Sequence, residues 1–521
     1  MIENYLNNRL LTLYFIPFTI GSLSVFSFQP FNLTFINFII LPLFFYLIVF
    51  IKKRSKSRYR KKPFKKNLFI FGTSFGFGFY LCGIHWINNS LTFDESFKIL
   101  IPFGLILIPI FLSLFFSLLT LVIGPFLDLN FKSIFLLSSS MAFSDYIRSK
   151  IFTGFPWNLW AYSFSEANEI IQILNIIGLF AFNLISITIF LLPTVLFFKV
   201  NLKNKIFTLS IIAVLLTSFF IYGNHSINRN ENLLSVNEEK FNIKVISPNF
   251  DLNYGLSERE IKTRLEKLIR YSEPNKDLKT LFVWPEGVFS GYSFKEILFL
   301  KNFFLDSFDD NHLILFGINR HNDKMNGLFN SLIVINNRME IVGEYKKQKL
   351  VPFGEFLPYE KILNKIGLKK ITEGHGSFLK GKKQQENILI DNLNILPLIC
   401  YEVIFTELTQ NTHPDTNLIV NISEDGWFGN SIGPHQHFAK AIFRAVEQNL
   451  FLVRSVNKGT TAIISNKGQI LKTLNSNESG SIEQDVPLIQ SKKRNKNDLI
   501  FYTLLITYIF IFKFYKKNNV Q

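Results

Sequence analysis

Cysteine is nearly absent from this chain: two residues in 521, Cys82 and Cys400. Cys82 lies inside an apolar run and Cys400 in the polar half, so a disulfide framework is excluded. No CxxC pair and no Cys/His cluster with ligand spacing occurs, which removes a structural zinc site, and no metal or cofactor is expected. Acidic residues are also scarce, 39 against 56 Lys and Arg, for a formal charge of +17. That excess invites a nucleic-acid reading, but no recognisable binding module accompanies it. The segment Ile51–Lys66, IKKRSKSRYRKKPFKK, holds ten of the basic residues between two hydrophobic stretches. That is the pattern of a cytoplasmic membrane loop, and no nucleic acid is expected as a partner. A small-residue cleavage site is missing as well: FSFQPFN follows the first apolar segment, which is therefore read as retained rather than as a signal peptide.

What the chain does have is apolar sequence, 48% overall and unevenly spread. Residues 1–223 contain seven candidate spans, at about 10–28, 33–51, 67–87, 99–123, 130–146, 170–198 and 206–223, and an eighth lies at 499–515. Each is near the length a helix needs to cross about 30 Å of hydrocarbon, where backbone polar groups must be satisfied internally. The fifth is diluted by Ser138, Ser139, Ser140 and Asp145. If the loop Lys52–Lys66 is cytoplasmic, then so are Arg9, the loop with Lys199, Lys203 and Lys205, and the tail with Lys513, Lys516 and Lys517. The basic run Ser491–Asp498 disagrees. With seven preceding spans, the polar domain falls on the outer, periplasmic face; losing the fifth would reverse that parity. The Asn-rich stretch Tyr222–Lys240 reads as the connection, with the linker placed at 224–240.

From 241 to 490 short β-rich runs alternate with helical stretches. FNIKVISPNF, TLFVWPEG (ending at Pro285), HLILFGI, LFNSLIVI, MEIVGEY, NILIDNLNILPLIC (broken by a turn near Asp391–Asn392), TNLIVNIS, NLFLVRSV, GTTAIIS and GQILKTL read as strands. The stretch SEREIKTRLEKLIRYSE reads as a helix opened by a capping box, Ser257 with Glu260. FKEILFLKNFFLDSF and PHQHFAKAIFRAVEQN read as further helices, the second with Pro434 in its first turn. Many strands with few, long helices imply a layered α+β or α/β sandwich.

Three chemistry-bearing residues stand at strand ends, where ligand crevices form: Glu286 after TLFVWP, Lys347 after EIVGEYK, and Cys400 after ILPLI. A carboxylate, an ammonium and a thiol together make a coherent acyl-transfer site. Cysteine is intrinsically nucleophilic but mostly protonated near its usual pKa of about 8.5. Glu286 would accept its proton, Lys347 would stabilise thiolate and oxyanion, and the N–H of Tyr401 or a neighbour would be a second donor. Glu355 is a spare carboxylate. Taken singly, each has a bland alternative: a solvated turn lysine, a capping glutamate, a packed cysteine. Sequence separation alone does not bring them into contact.

The segments WPEG (Trp284–Gly287), YKKQKLVPFGEFLP (Tyr345–Pro358), ICYEVIF (Ile399–Phe405) and SEDGWFGNSIGPHQHF (Ser423–Phe438) resemble the nitrilase, or carbon–nitrogen hydrolase, superfamily. With VRSVNKGTTAIIS (Val453–Ser465) and the membrane segments, the resemblance narrows to the bacterial apolipoprotein N-acyltransferase family. It implies a multi-span α-helical membrane domain joined to a nitrilase-like αββα sandwich. It assigns the nucleophile to Cys400, the base to Glu286 and the lysine to Lys347, with Glu355, Tyr401 and Glu402 supporting. It places Trp427, with Phe428, on a loop toward substrate and lipid; Tyr254 in PNFDLNYGL stands where the family usually has another tryptophan. His435 and His437 read as helix-start or loop-positioning residues, not ligands. The implied reaction moves the sn-1 acyl group of a phospholipid, typically phosphatidylethanolamine, through a cysteine thioester to the α-amino group of a diacylglyceryl-cysteine apolipoprotein, at the bacterial inner membrane. Two rivals stand beside it: a membrane-anchored amidase or nitrilase acting on small C–N substrates, and a transporter or scaffold with an inactive nitrilase-like domain. Buried charges in the spans would favour transport, and Asp145 is the clearest candidate.

Overall fold

The computed structural model describes residues 6, 8–54, 63–236, 239–253, 255–322, 327–360, 365, 377–382, 387–410, 413–490 and 497–514. Tyr254, most of the basic loop (55–62), most of Ser491–Asp498, and the tail from 515 with Lys516 and Lys517 lie outside the described residues. Two compact units are present: Met1–Asn88 with Glu95–His225 and Asn495–Gln521, and Asn89–Asp94 with Ser226–Arg494.

The first unit is helical. Among the described residues five helices are long and apolar enough to cross a membrane: Thr34–Arg54, Phe64–Thr92, Glu95–Phe126, Leu179–Phe197 and Leu202–Ser235. Their α-helical parts are α2 (Asn37–Arg54), α3 (Pro63–Ile84), α4 (Ile101–Ile123), α8 (Leu179–Leu191) and α9 (Leu202–Val236), preceded by the short α1 (Ile16–Leu23). Large apolar side chains on α4, such as Phe103, Leu107, Leu118 and Val122, are exposed. Lipid tails are a good solvent for such a face, whereas water is not. Between helices, hydroxyls do the joining: Thr120 donates to the carbonyl of Leu68 at 2.8 Å, and Thr73 and Ser117 share a bond of 2.8 Å.

Three expected elements differ in form. The first apolar segment is a composite helix over Leu11–Ser27, shorter than the other spans. The stretch read as one span at 170–198 is divided into α6 (Asn168–Ile171), α7 (Leu174–Ile177) and α8, with Gly178 at φ 78 interrupting the helix before α8. The polar stretch read as a linker is helical through Val236, because Asn, Glu and Ser in an exposed helix cost little once an apolar nucleus upstream has formed the first turns. The diluted fifth segment is α5 (Phe131–Lys150). Its Asp145 is paired with Arg148 at 2.8 Å and accepts from Asn183 at 3.0 Å; Arg148 in turn donates to the carbonyl of Phe155. Each charge is met within the unit, so this is a buried structural pair.

The second unit contains two six-stranded sheets. Sheet one comprises β1 (Lys240–Ser247), β2 (Thr280–Val283), β3 (His312–Asn322), β4 (Gly327–Ile335), β5 (Ile341–Lys346) and β12 (Gly480–Pro487), in the order β12-β1-β2-β3-β4-β5. Sheet two comprises β6 (Ile388–Ile390), β7 (Leu393–Ile399), β8 (Leu418–Glu424), β9 (Leu452–Asn457), β10 (Thr461–Ile464) and β11 (Ile470–Leu474), in the order β11-β10-β9-β8-β7-β6. The triplets β1-β2-β3 and β7-β8-β9 are parallel and central. Such strands are covered on both faces, which is why they read as continuous apolar runs. Ile243, Val245, Leu281 and Leu332 of sheet one meet Ile395, Val420, Ile422 and Val453 of sheet two in one core. The other face of sheet one packs Phe282, Trp284 and Phe316 against α10 (Glu258–Ser272) and α11 (Lys301–Ser307). The long helix α12 (Gly433–Gln448) supplies the helical layer of sheet two. The result is an αββα sandwich. The Ser257–Glu260 capping box opens α10, and Pro434 sits in the first turn of α12. The helix expected over FKEILFLKNFFLDSF is reduced to α11 and a preceding 3-10 turn, because Ser293 and Glu296 close a local turn instead.

Candidate active site

Glu286, Lys347 and Cys400 each follow a strand end: β2, β5 and β7. β2 runs into Pro285, which supplies no N–H to extend the ladder, so the chain turns and Glu286 leaves the sheet. The approach is close: a Cβ at Gly317 would lie 2.9 Å from the Glu286 Cα, so only glycine fits there.

Lys347 is almost fully buried and its Nζ lies 2.8 Å from Glu355 Oε1 and 3.4 Å from Glu286 Oε1. Asn330, on β4, donates to both carboxylates at 2.7 Å. The remaining oxygens are held by backbone: Glu286 Oε2 accepts from the N–H of Glu424 at 3.2 Å, and Glu355 Oε2 from that of Val351 at 2.9 Å. Burial acts to strip the Lys347 proton, but the charges of Glu286, Glu355 and Cys400 outweigh it and raise the pKa. The lysine is an ammonium.

Cys400 opens a 3-10 turn, Cys400–Ile404, with φ 49. That left-handed conformation costs a non-glycine residue of order 1–3 kcal/mol and persists only where surroundings over-determine it. The residue is buried, and its pKa is raised, first by burial and then by the charge of Glu286, with Lys347 acting the other way. The resting sulfur is therefore a thiol, in electrostatic reach of both a carboxylate and an ammonium.

Glu402 ties the two halves together. Fully buried, it accepts from the N–H groups of Gln348 (2.7 Å), Lys349 (2.9 Å) and Ile399 (2.9 Å), and from the Tyr345 hydroxyl at 2.9 Å. One side chain thus fixes the turn bearing Lys347 against the turn bearing Cys400. Burial pushes its pKa up to about 7 against those bonds. The ring of Tyr401 meets Phe405 edge-on at 4.9 Å. Trp427 and Phe428 lie in the turn Asp425–Phe428. Trp427 packs edge-on against Phe93 at 5.2 Å, and the Phe428 carbonyl accepts from Asn89 at 2.6 Å. A cavity of about 190 Å³ lies beside this turn, bounded by Gly426, Asn430, His435 and Lys458 among others. Among the described residues no group of three or more His, Cys, Asp or Glu could hold a metal ion.

Four residues escaped the sequence reading. Asn330 and Arg454, each followed by a serine, interrupt the apolar runs LFNSLIVI and NLFLVRSV, and that interruption was the available signal. Glu424 and Asp425, from SEDGWFG, are buried behind the site. Glu424 accepts from Asn457 at 2.7 Å and Gly426 N–H at 2.9 Å, and burial pushes its pKa up to about 8.

A family model described as the apolipoprotein N-acyltransferase N-terminal domain matches residues 20–192, and one described as carbon-nitrogen hydrolase matches residues 276–494. The chain is homologous to the apolipoprotein N-acyltransferase family. A protein of Bradyrhizobium diazoefficiens named apolipoprotein N-acyltransferase is 29% identical over 487 residues, covering 91% of this chain and 89% of that one. A Rhodopseudomonas palustris protein of the same name is 28% identical over 485 residues, with 90% and 88% covered. The solved structure of Saccharomyces cerevisiae Nit3, described as a member of branch 10 of the nitrilase superfamily, is 14% identical and covers 54% of this chain and 98% of its own, at a TM-score of 0.36. With several apolar spanning helices and bacterial homologues, the protein is a multi-pass inner-membrane protein, homologous to a transferase family, with a nitrilase-like domain.

Proposed function

We propose that the protein is a phospholipid-dependent apolipoprotein N-acyltransferase with Glu286, Lys347 and Cys400 as its catalytic residues. The observation that carries this reading is the Glu286–Lys347–Glu355 cluster, closed to within 3.4 Å beside a thiol held in a left-handed turn. Because the resting sulfur is a thiol, attack is coupled to proton transfer. Cys400 Sγ bonds to the ester carbonyl carbon of the phospholipid while Glu286 takes the thiol proton. The carbonyl oxygen becomes an oxyanion, stabilised by the Lys347 ammonium and a backbone N–H of the turn after Cys400. Collapse breaks the acyl C–O bond, and Glu286 returns its proton to the departing lysophospholipid oxygen. In the second half the neutral α-amine of a diacylglyceryl-cysteine attacks the thioester. Glu286 accepts a proton from the resulting ammonium and passes it to the leaving sulfur. Glu355 and Asn330 keep Lys347 and Glu286 in place through both halves, and Tyr401 and Glu402 shape the turn.

Both substrates carry acyl chains, and bringing each CH₂ into water costs about 0.8 kcal/mol. A donor such as phosphatidylethanolamine is accordingly taken sideways from the bilayer, with Trp427 and Phe428 along its path. The catalytic domain is proposed to face the periplasm. The test is incubation of purified protein with labelled phospholipid, followed by intact-mass analysis. An acyl adduct absent from Cys400→Ala and transferable to a lipopeptide amine is expected. Ammonia release from small amides without an adduct would replace this reading with the hydrolase, and topology mapping of the domain to the cytoplasm would overturn its location.

A further inference from the structure

The strained turn at Cys400 needs something to hold it, and the groups assigned so far hold only one side. Glu402 accepts from the N–H of Ile399, the residue just before the nucleophile. On the other side, the Cys400 carbonyl oxygen faces His437 Nε2 at 3.2 Å. His437 belongs to α12, is fully buried, and is fixed by charges of its own. Its Nδ1 lies 3.0 Å from Asp425 Oδ1 and 3.0 Å from Arg454 Nη2. Arg454 also donates to Asp425 Oδ2 at 3.0 Å and to Asn421, and Ser423 donates to Asp425 Oδ1 at 2.6 Å. Asp425 and Arg454 are fully buried as well. Lys440, one turn further along α12, donates to the Gln436 carbonyl. A buried charged network of this size is costly unless every member is satisfied, and nothing in the acyl-transfer chemistry uses it directly.

We propose that His437 is a positioning residue: its Nε2–H clamps the carbonyl of Cys400 and so fixes the direction of the nucleophilic sulfur. A carbonyl only accepts, so Nε2 must carry the proton. In the neutral ring, Nδ1 then accepts from Arg454; in the charged ring, Nδ1 donates to Asp425. Either form leaves the Nε2 donor on Cys400, so the clamp works independently of pH. Asp425 and Arg454 serve as the anchor that stops the ring from turning. Phe428 lies edge-on to the His437 ring at 5.4 Å, which closes the remaining side.

This inference rests on Cys400 being the nucleophile proposed above, and its test separates the two. His437→Gln places an amide N–H near the Nε2 position, whereas His437→Asn reaches only to Nδ1 and His437→Leu offers no donor. The measurements are the rate of Cys400 alkylation by iodoacetamide across a pH series, kcat and KM for phospholipid, and the thermal midpoint of the intact protein in detergent. For Leu and Asn, alkylation and kcat are expected to fall roughly 10- to 100-fold with little change in KM, as a misaligned nucleophile requires. Gln is expected to recover most of both, and the alkylation pH profile keeps its shape. If Leu does not fold, the Gln–Asn pair decides. Folded Leu or Asn variants that match the wild type in both rates, or a Gln variant no better than Asn, would overturn the clamp. Altered alkylation in a protein whose wild type shows no acyl transfer would leave the clamp standing and remove the proposed function instead.

Discussion

Asn330 is the most exposed point of the mechanism to a single substitution. Its amide nitrogen donates at 2.7 Å to Glu286 Oε1 and to Glu355 Oε1, the same two oxygens that receive Lys347. Asn330→Ala removes two hydrogen bonds to ionised groups, each worth about 1.5–3 kcal/mol. The bond to Glu355 is backed by Lys347 at 2.8 Å and the Val351 N–H, so its loss is largely absorbed. Glu286 has less behind it: Lys347 at 3.4 Å and one backbone N–H at 3.2 Å. The cost therefore falls on the base. If the whole of one such bond is lost from the transition state, acylation of Cys400 slows by roughly 10- to 150-fold. The assay is a single-turnover time course of the acyl adduct by intact-mass analysis, beside a thermal unfolding curve. Because Asn330 is on β4, inside the sandwich, a modest drop in melting temperature is also expected. A folded Asn330→Ala protein that acylates within about twofold of the wild type would show that the carboxylate needs no such hold, and the reasoning would fail.

Other consequences follow from the same geometry. Gly317→Ala would set a methyl group 2.9 Å from the Glu286 Cα and 3.1 Å from Ile422 Cδ1, so it is expected to cost about 1–3 kcal/mol in thermal stability and to lower kcat with it. Glu424, whose pKa is pushed up from 4.5 to about 8 chiefly by burial, holds a proton in the folded protein that the unfolded chain has already released. Its contribution to stability is full below about pH 4.5 and lost by about pH 8, so melting temperature falls as pH rises through that window. Glu424→Gln, neutral throughout, is expected to make that slope shallower, the remainder coming from Glu402. In the helical unit, Arg148→Met strands the buried Asp145 carboxylate and is expected to cost about 3–5 kcal/mol, whereas the Arg148→Met, Asp145→Leu double variant recovers most of it. Thermal midpoints of the single and double variants check that directly.

Much of the sandwich is written locally. The capping box at Ser257, the first-turn proline of α12 and the apolar runs of β7, β8 and β9 are each decided by neighbours in sequence, so they read correctly from sequence alone. The boundaries that shifted depend on competition. Gly178 breaks what composition alone makes one span, and the polar residues after Tyr222 continue a helix that apolar residues upstream began. At the site, Glu286, Lys347 and Cys400 are conspicuous as strand-end residues and the resemblance adds Glu355 and Glu402, but the longer-range contacts around them are not legible. Asn330 and His437 act across 44 and 37 residues of sequence, to Glu286 and Cys400 respectively. No periodicity encodes a contact of that range. Only a polar residue interrupting an apolar strand, as at Asn330 and Arg454, hints at an inward-facing partner.

Glu286 and Lys347 are carried by one leaf of the sandwich and Cys400 by the other. The hydrocarbon filling between them is therefore a spacer that sets the distance between those two side chains and the sulfur. Shaving a methyl from that filling, as in Ile395→Val, alters the gap without touching any reacting group. An equal loss behind the outer helix, as in Leu265→Val, does not. Heat tolerance and turnover should accordingly move in step for the first kind of change and part company for the second. Any breeding of this protein for robustness would shift that distance whenever it repacked the space between the leaves.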